Sequence, residues 1–284
     1  AGLNVDMDLF DQWSTSTPLI AKMNPAAKYN VPDFHAVGGV PAVIKQILPL
    51  IHGDAMTVTG KTIAQCVARA RDPDGAIVRP FADPWSNLGG LKVLRGNLAP
   101  NTAITKPAAI HPDMHHFSGL ARCFDSEEEA NQAILDGVIQ EGEVLVIRYE
   151  GPKGGPGMRE MYKAMKLLYG RGLSLKTALV TDGRFSGTNN GCFVGHVSQE
   201  AVEGGPLAVV RDGDRISIDV IKGDLHLEVD EQKIEARMAS WQAPAPKYTS
   251  GYLGLYCHLA QSADKGAIVE FTTGHCEPPL KRKP

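Results

Sequence analysis

Two short apolar runs, the EVLVI of "GEVLVIRY" (142–149) and the ALV of "KTALVTD" (176–182), most constrain what this chain can fold into. Neither alternates apolar with polar residues, so each reads as a strand covered on both faces. Between them, "GMREMYKAMKLLYG" places Met158, Met161, Tyr162, Met165, Leu168 and Tyr169 at helical spacing on one face. Both strands run out into glycine-rich segments, "EGPKGGPG" and "DGRFSGTNNG". Strand, glycine loop, helix, strand and a second glycine loop define an α/β chain with its loops at strand ends, where such proteins bind small ligands.

Around this unit other elements can be placed. "LNVDMDLFDQW" is a short helical or extended start, "AVGGVPAVIKQILPLI" a helix, and "HGDAMTVTGKT" a short β-like turn-back. "LKVLRGNLA" and "TAITKPAAI" read as strands. In "SEEEANQAILDG" Ser126 caps a helix, acids fill its first turn and Gly137 ends it. From "SQEAVEGGPLAVVRDGDRISIDV" to "GDLHLEVD" short β runs alternate with Asp-Gly and Gly-Asp turns, as in hairpins of a partly antiparallel sheet. "EARMASWQ" and "LGLYCHLAQSADKG" are two helices joined by a Pro-rich loop.

With 284 residues the chain can bury a proper core as one large domain or two modest ones. A net charge of -3 without a long basic run gives no electrostatic reason to expect nucleic acid or a membrane surface, and no apolar stretch has the length of a spanning helix. The start has no basic-then-apolar pattern of a signal peptide, and the lack of an initial Met reads as processing or as a piece of a longer chain. Cys66, Cys123, Cys192, Cys257 and Cys276 stand singly. That pattern argues against a disulfide framework or a complete thiolate metal site within this chain, and for a reducing compartment.

Three stretches hold candidate chemistry. "RYEGPKGGPGMREM" can present backbone N–H groups to an anion or simply make a tight strand-to-helix crossover; it lacks the spacing of a nucleotide P-loop. Its Glu160, read as lying in the first helical turn, either complements the helix dipole or offers one oxygen to a hard metal. In "LVTDGRFSGTNNG" Ser186 is a turn serine by spacing alone; as a base it needs a nearby cation to lower its pKa. "HPDMHH" carries His111, His115 and His116, but Pro112 and its loop surroundings make it surface chemistry, and His35 and His196 read as structural histidines.

The motifs "HAVGGVPAVIK", "GDAMTVTGKT", "LRGNLAP", "FDSEEEA", "VIRYEGPKGGPGMREM", "LVTDGRFSG", "GHVSQEAVEGGPLAVVRDGD" and "QSADKGA" run nearly end to end. On them the chain resembles the C-terminal half of the dihydroxy-acid dehydratase and phosphogluconate dehydratase family. The resemblance implies removal of water from a 2,3-dihydroxy acid to give a 2-oxo acid. Ser186 would be the alkoxide base, Glu160 a ligand of Mg²⁺, and Gly187 and Thr188 would border the substrate. An iron–sulfur cluster is implied too, with its cysteines, the other metal ligands and a modified lysine expected in an N-terminal half that this chain lacks.

The implied fold is a mixed β-barrel-like swivelling domain with flanking helices over 61–284, preceded over 1–60 by the tail of an N-terminal catalytic α/β domain. A homodimer or other homo-oligomer is implied, in the cytoplasm, or in a mitochondrial matrix or plastid of a eukaryote. "SGTNNG" departs from the usual pattern of the branched-chain amino-acid enzymes and leaves open a sugar-acid substrate, an aldonate. A non-catalytic binding module with the same fold is the reading from another class.

Overall fold

A computed structural model describes residues 5–24, 27–185 and 191–270. Eight strands close into a barrel: β1 (Lys92–Gly96), β2 (Ala99–Thr105), β3 (His116–Phe124), β4 (Glu143–Ile147), β5 (Ala178–Thr181), β6 (Cys192–Ser198), β7 (Arg215–Asp219) and β8 (Asp224–Leu227). The order around it is β1-β2-β6-β5-β4-β3-β7-β8. Its parallel part runs from β3 through β4 and β5 to β6, and antiparallel pairs complete most of the rest. A single parallel register pair, Arg95 with Asp224, joins β1 to β8 and leaves no open edge.

The two apolar runs lie side by side in the parallel part, with Val144 opposite Ala178 and Val146 opposite Val180. Because strand side chains alternate, each run supplies two cores. Val144, Val146, Ala178 and Val180 point into the barrel and meet Leu94, Ile216 and Leu225. Leu145, Ile147 and Leu179 point outward into a second core beneath α5 (Glu127–Leu135) and α6 (Tyr162–Gly170), where they meet Ile134, Met161, Met165 and Leu168. The mixed barrel with flanking helices agrees with the expected architecture.

Ser126 caps α5 as expected, its hydroxyl accepting the Glu129 N–H, and Gly137 follows with φ +75°. The buried side chain of Glu127 accepts the N–H groups of Lys163 and Ala164, capping α6 from the neighbouring helix. Helix α6 begins later than its apolar pattern suggests. Met158 adopts φ +60°, outside helical geometry, while Tyr162 and Tyr169 face solvent; Met161, Ala164, Met165 and Leu168 carry the buried face.

Two short β readings do not hold. "HGDAMTVTGKT" forms turns with one isolated bridge, Met56 to Thr62, and the "LAVV" run is a 3₁₀ turn over Pro206–Val209 that buries Leu207. Leu207 belongs to the barrel core, so burial there is achieved without strand pairing. The Asp219–Asp224 hairpin between β7 and β8 does form.

Among the described residues four α-helices precede the barrel: α1 (Met7–Ser16), α2 (Val31–Ala36), α3 (Gly39–Ile47) and α4 (Ile63–Val67). Asp6 caps α1, and Asp11 of that helix accepts from Lys92 Nζ and from the Val93 N–H at the edge of β1. Beyond the barrel follow α7 (Glu231–Ser240) and α8 (Gly251–Leu259), the expected helix, Pro-rich loop and helix. No described helix is long and apolar enough to cross a membrane.

Candidate functional site

The loops after β4 and β5 meet where their strands end. After Arg148 the chain turns at Tyr149, a non-glycine residue at φ +61°, and winds through residues 150–158 before straightening at Arg159 and Glu160. There it pairs in parallel with the chain leaving β5. Arg184 N–H donates to the Arg159 carbonyl at 3.0 Å, and Met161 N–H to the Arg184 carbonyl at 2.8 Å. Glu160 therefore lies on an extended segment and not in the first turn of α6, because its backbone is engaged by Arg184.

The glycine loop does offer its N–H groups to anions, and the anions are the protein's own. Asp182, fully buried at the end of β5, accepts from Glu150 N–H at 2.9 Å, Tyr149 N–H at 3.2 Å and Ala201 N–H at 2.9 Å. Glu200, just after β6, accepts from Lys153 N–H at 3.1 Å and Gly154 N–H at 3.2 Å. The buried Glu150 carboxylate accepts from Glu127 N–H and lies 3.3 Å from Lys247 Nζ and 3.4 Å from Arg159. Its second oxygen has no hydrogen-bond partner among the described residues. The glycines make room for these acids: a Cβ on Gly155 would stand 2.6 Å from Glu150 Oε2, and one on Gly151 would run into Glu200.

Burial shapes the protonation of this group. It pushes the Asp182 carboxyl up to about 6 against the pull of its three N–H donors, with the neighbouring Glu150 charge adding to the rise. It pushes Glu200 up to about 8, helped by Asp182 and Glu203 and opposed by the Gly154 and Lys153 N–H groups. Arg159 is held above its ordinary range, chiefly by its hydrogen bond to Glu128, with Glu150 and Glu127 adding to the effect.

Glu160 opens onto a cavity of about 510 Å³. Arg184, Lys106 and His196 bring polar groups to it, and Ile104, Ile110, Phe185 and Phe193 supply much of its apolar wall. Phe185 and Phe193 lie against each other with ring centroids 5.6 Å apart. Neither Glu160 nor Arg184 makes a side-chain ion pair among the described residues, although their backbones are paired. His196 has φ +55° and donates its N–H to the Gly183 carbonyl at 2.8 Å, so a strained backbone turns it toward the cavity. Its imidazole pKa is lowered by burial first, then by the Arg184 and Lys106 charges. An anionic small molecule with an apolar substituent matches these walls in charge and polarity.

Of the residues singled out in the sequence, Glu160 reaches the cavity; Ser186, Gly187 and Thr188 lie outside the described residues, two to four positions beyond Arg184. His196, read as structural, lines the cavity instead. Arg184, Lys106 and the three buried carboxylates were missed, although an acid set between an apolar run and a glycine loop, as in "LVTDG" and "IRYEGPKGG", is a usable signal. "HPDMHH" remains peripheral: His115 approaches the Pro107 carbonyl, and His116 approaches Asp219 at 3.1 Å.

Among the described residues no group of three or more His, Cys, Asp or Glu side chains is arranged to hold a metal ion. Cys66 is exposed, Cys123 and Cys257 are half-buried on β3 and α8, and Cys192 belongs to the barrel core; Cys276 is outside the described residues. Burial pushes the Cys123 and Cys192 thiols up to about 12, which suits small hydrophobes better than thiolate ligands. Glu160 fits one metal donor, and the described residues do not complete a metal or cluster site around it.

The sequence pattern of the dihydroxy-acid/6-phosphogluconate dehydratase C-terminal region matches residues 76–267, and that of the corresponding N-terminal region matches residues 1–66. The chain is 48% identical over 271 residues to the dihydroxy-acid dehydratase of Acetivibrio thermocellus, covering 95% of this chain and 49% of that protein. It is 47% identical over 272 residues to the protein of the same name from Moorella thermoacetica, and 45% identical over 272 residues to that from Aquifex aeolicus, again covering 95% of this chain and 49% of each relative. The chain thus spans about half the length of the curated relatives it matches.

Proposed function

The chain belongs to the dihydroxy-acid/6-phosphogluconate dehydratase family, and on that premise we propose that it carries one part of the active site of a hydro-lyase. The reaction takes a proton from C2 of a 2,3-dihydroxy acid and releases the 3-hydroxyl as water, and the resulting enol becomes the 2-oxo acid. Ser186 is the base at C2, Glu160 is a donor to Mg²⁺, and Gly187 and Thr188 border the substrate. When bound, an iron–sulfur cluster and Mg²⁺ supply Lewis acidity at the departing hydroxyl and beside the alkoxide. Their remaining ligands belong to an N-terminal part completing the relatives' length. Residues 1–60 are read as the end of that catalytic domain and 61–284 as the C-terminal domain, in a homo-oligomeric enzyme of the cytoplasm or an organelle matrix.

The observation that carries this reading is the placement of Glu160 in one cavity with Arg184, two residues before Ser186. Arg184 and Lys106 give the cavity a positive side for a carboxylate. Its apolar wall of Ile104, Ile110, Phe185 and Phe193 favours an alkyl substituent, as in the 2,3-dihydroxy-3-methyl acids of branched-chain amino-acid synthesis, over the polyol of a sugar acid.

The test is Ser186→Ala in the enzyme completed to the relatives' length. Turnover of 2,3-dihydroxy-3-methylbutanoate is expected to fall by about a hundredfold or more, with metal content unchanged. A variant that keeps most of its turnover would remove Ser186 from the chemistry. Turnover of an aldonate alone by the unaltered enzyme would select the sugar-acid reading, and no turnover of either acid the non-catalytic one.

A further inference from the structure

Outside the cavity, the molecule's most unusual polar feature is the group of buried acids beneath the glycine loop. The loop is fastened at three places. Its start, at Tyr149 and Glu150, donates two N–H groups to Asp182. Its middle, at Lys153 and Gly154, donates to Glu200. Its end is bracketed by Arg184, which donates to the Arg159 carbonyl and accepts from Met161 on either side of Glu160. Both ends of the loop are thus tied to the single stretch 182–184, which leads directly into Ser186.

We propose that Asp182 and Glu200 are positioning residues, whose carboxylates hold the glycine loop so that Glu160 and Arg184 keep a fixed separation. The naming of Glu160 and Ser186 as functional rests on the dehydratase reading; the mechanical coupling does not. Asp182 uses both oxygens for three donors, so an amide in its place would set an NH₂ against a backbone N–H. Among the described residues no cation contacts Asp182 or Glu200 directly. Glu150 and Glu200 face Asp182 from the glycine loop and from the turn after β6. Asp182 and Glu203 face Glu200, with Lys153 paired to Glu203, and Cys257 and Lys247 nearby on the C-terminal side. Arg159 and Lys247 reach only Glu150 among the three acids. The loop is therefore held by acids whose charge is poorly compensated, and its geometry responds to their protonation.

The experiment is a pH titration and hydrogen-exchange measurement by amide NMR on the full chain and on Asp182→Asn, Glu200→Gln and Glu203→Gln. In Asp182→Asn the Glu160 and Arg184 signals should move and their exchange should accelerate about tenfold, while Val144 and Val180 in the barrel stay put. Glu200→Gln should abolish the pH dependence of the Lys153 and Gly154 signals, and Glu203→Gln should leave Glu160 unmoved. Unchanged Glu160 and Arg184 signals in a folded Asp182→Asn chain would overturn the proposal. If that variant does not fold, the unaltered chain decides: the amide signals of Glu160 and Arg184 must shift together with those of Tyr149 and Ala201 as Asp182 changes protonation, and failure to do so overturns it equally. These signals do not depend on turnover, so loss of the dehydratase reading would leave the result standing.

Discussion

The barrel interior and the loop end above it exclude water equally, but they are held together by opposite means. Leu94, Leu225 and Ile216 are fully buried among apolar neighbours, whereas Asp182 is fully buried among three backbone N–H groups and Glu150 beside one N–H, Arg159 and Lys247. The first region gains from removing apolar surface from water and from close packing. The second carries the cost of dehydrating charge, offset only where each oxygen finds a donor. Equal burial therefore gives unequal behaviour: the barrel should be indifferent to pH, while the loop end should not.

The largest effect is expected from the barrel. Leu94→Ala removes a fully buried side chain from the core and should cost about 2–5 kcal/mol by denaturant unfolding, equally at pH 5 and pH 8.5. A strongly pH-dependent loss would erase the contrast between the two regions.

Glu200→Gln sharpens the contrast from the other side. A carboxyl whose folded pKa lies above its unfolded one holds its proton more tightly in the native state. Its stabilising contribution is complete below the unfolded value, here 4.5, and is lost as pH rises to the folded value of about 8. Asp182 acts in the same direction between 3.8 and about 6. Glu200→Gln should thus gain up to about 4 kcal/mol relative to the unaltered chain when both are moved from pH 4.5 to pH 8.5. Thermal unfolding across that range measures it, and parallel curves for the two chains would contradict the assigned direction.

The smallest effect is expected at the surface. Lys176 and Glu141 form an ion pair with side chains 49% and 64% exposed, so Lys176→Ala should change stability by less than about 0.5 kcal/mol. A loss comparable to that of Leu94→Ala would mean that charge contributes outside the loop end as strongly as packing does within the barrel.

The parts of the fold legible in the sequence were those written in local pattern. The β4 and β5 runs, the Ser126 cap with its Gly137 stop, and the last two helices follow from side-chain periodicity and capping chemistry. Tertiary context overrode pattern elsewhere. Arg184 draws Arg159 and Glu160 into an extended bridge and delays α6 to Tyr162. Leu207 fills the barrel core from a 3₁₀ turn, so an apolar run that looks like a strand needs no strand partner. At the cavity, Glu160 was singled out by its motif, but the other lining residues Lys106 and His196 come from other strands or turns, too far along the chain for spacing to reveal them.

By itself the sequence determined most of the strands and helices, and through the motifs it determined the family, because propensity, capping and motif identity reside in neighbouring residues. The tertiary structure alone decided that the strands close into a barrel, that Glu160 shares a cavity with Arg184 and His196, and that the glycine loop spends its N–H groups on Asp182 and Glu200. Each of these depends on groups 24–46 positions apart or more meeting in space, as Glu160 meets Arg184 and Gly154 meets Glu200. A dehydrated core makes the Gly154–Glu200 meeting specific, since there an unmatched charge or an unpaired N–H costs too much to persist, whereas Glu160 and Arg184 meet at the exposed rim through their paired backbones.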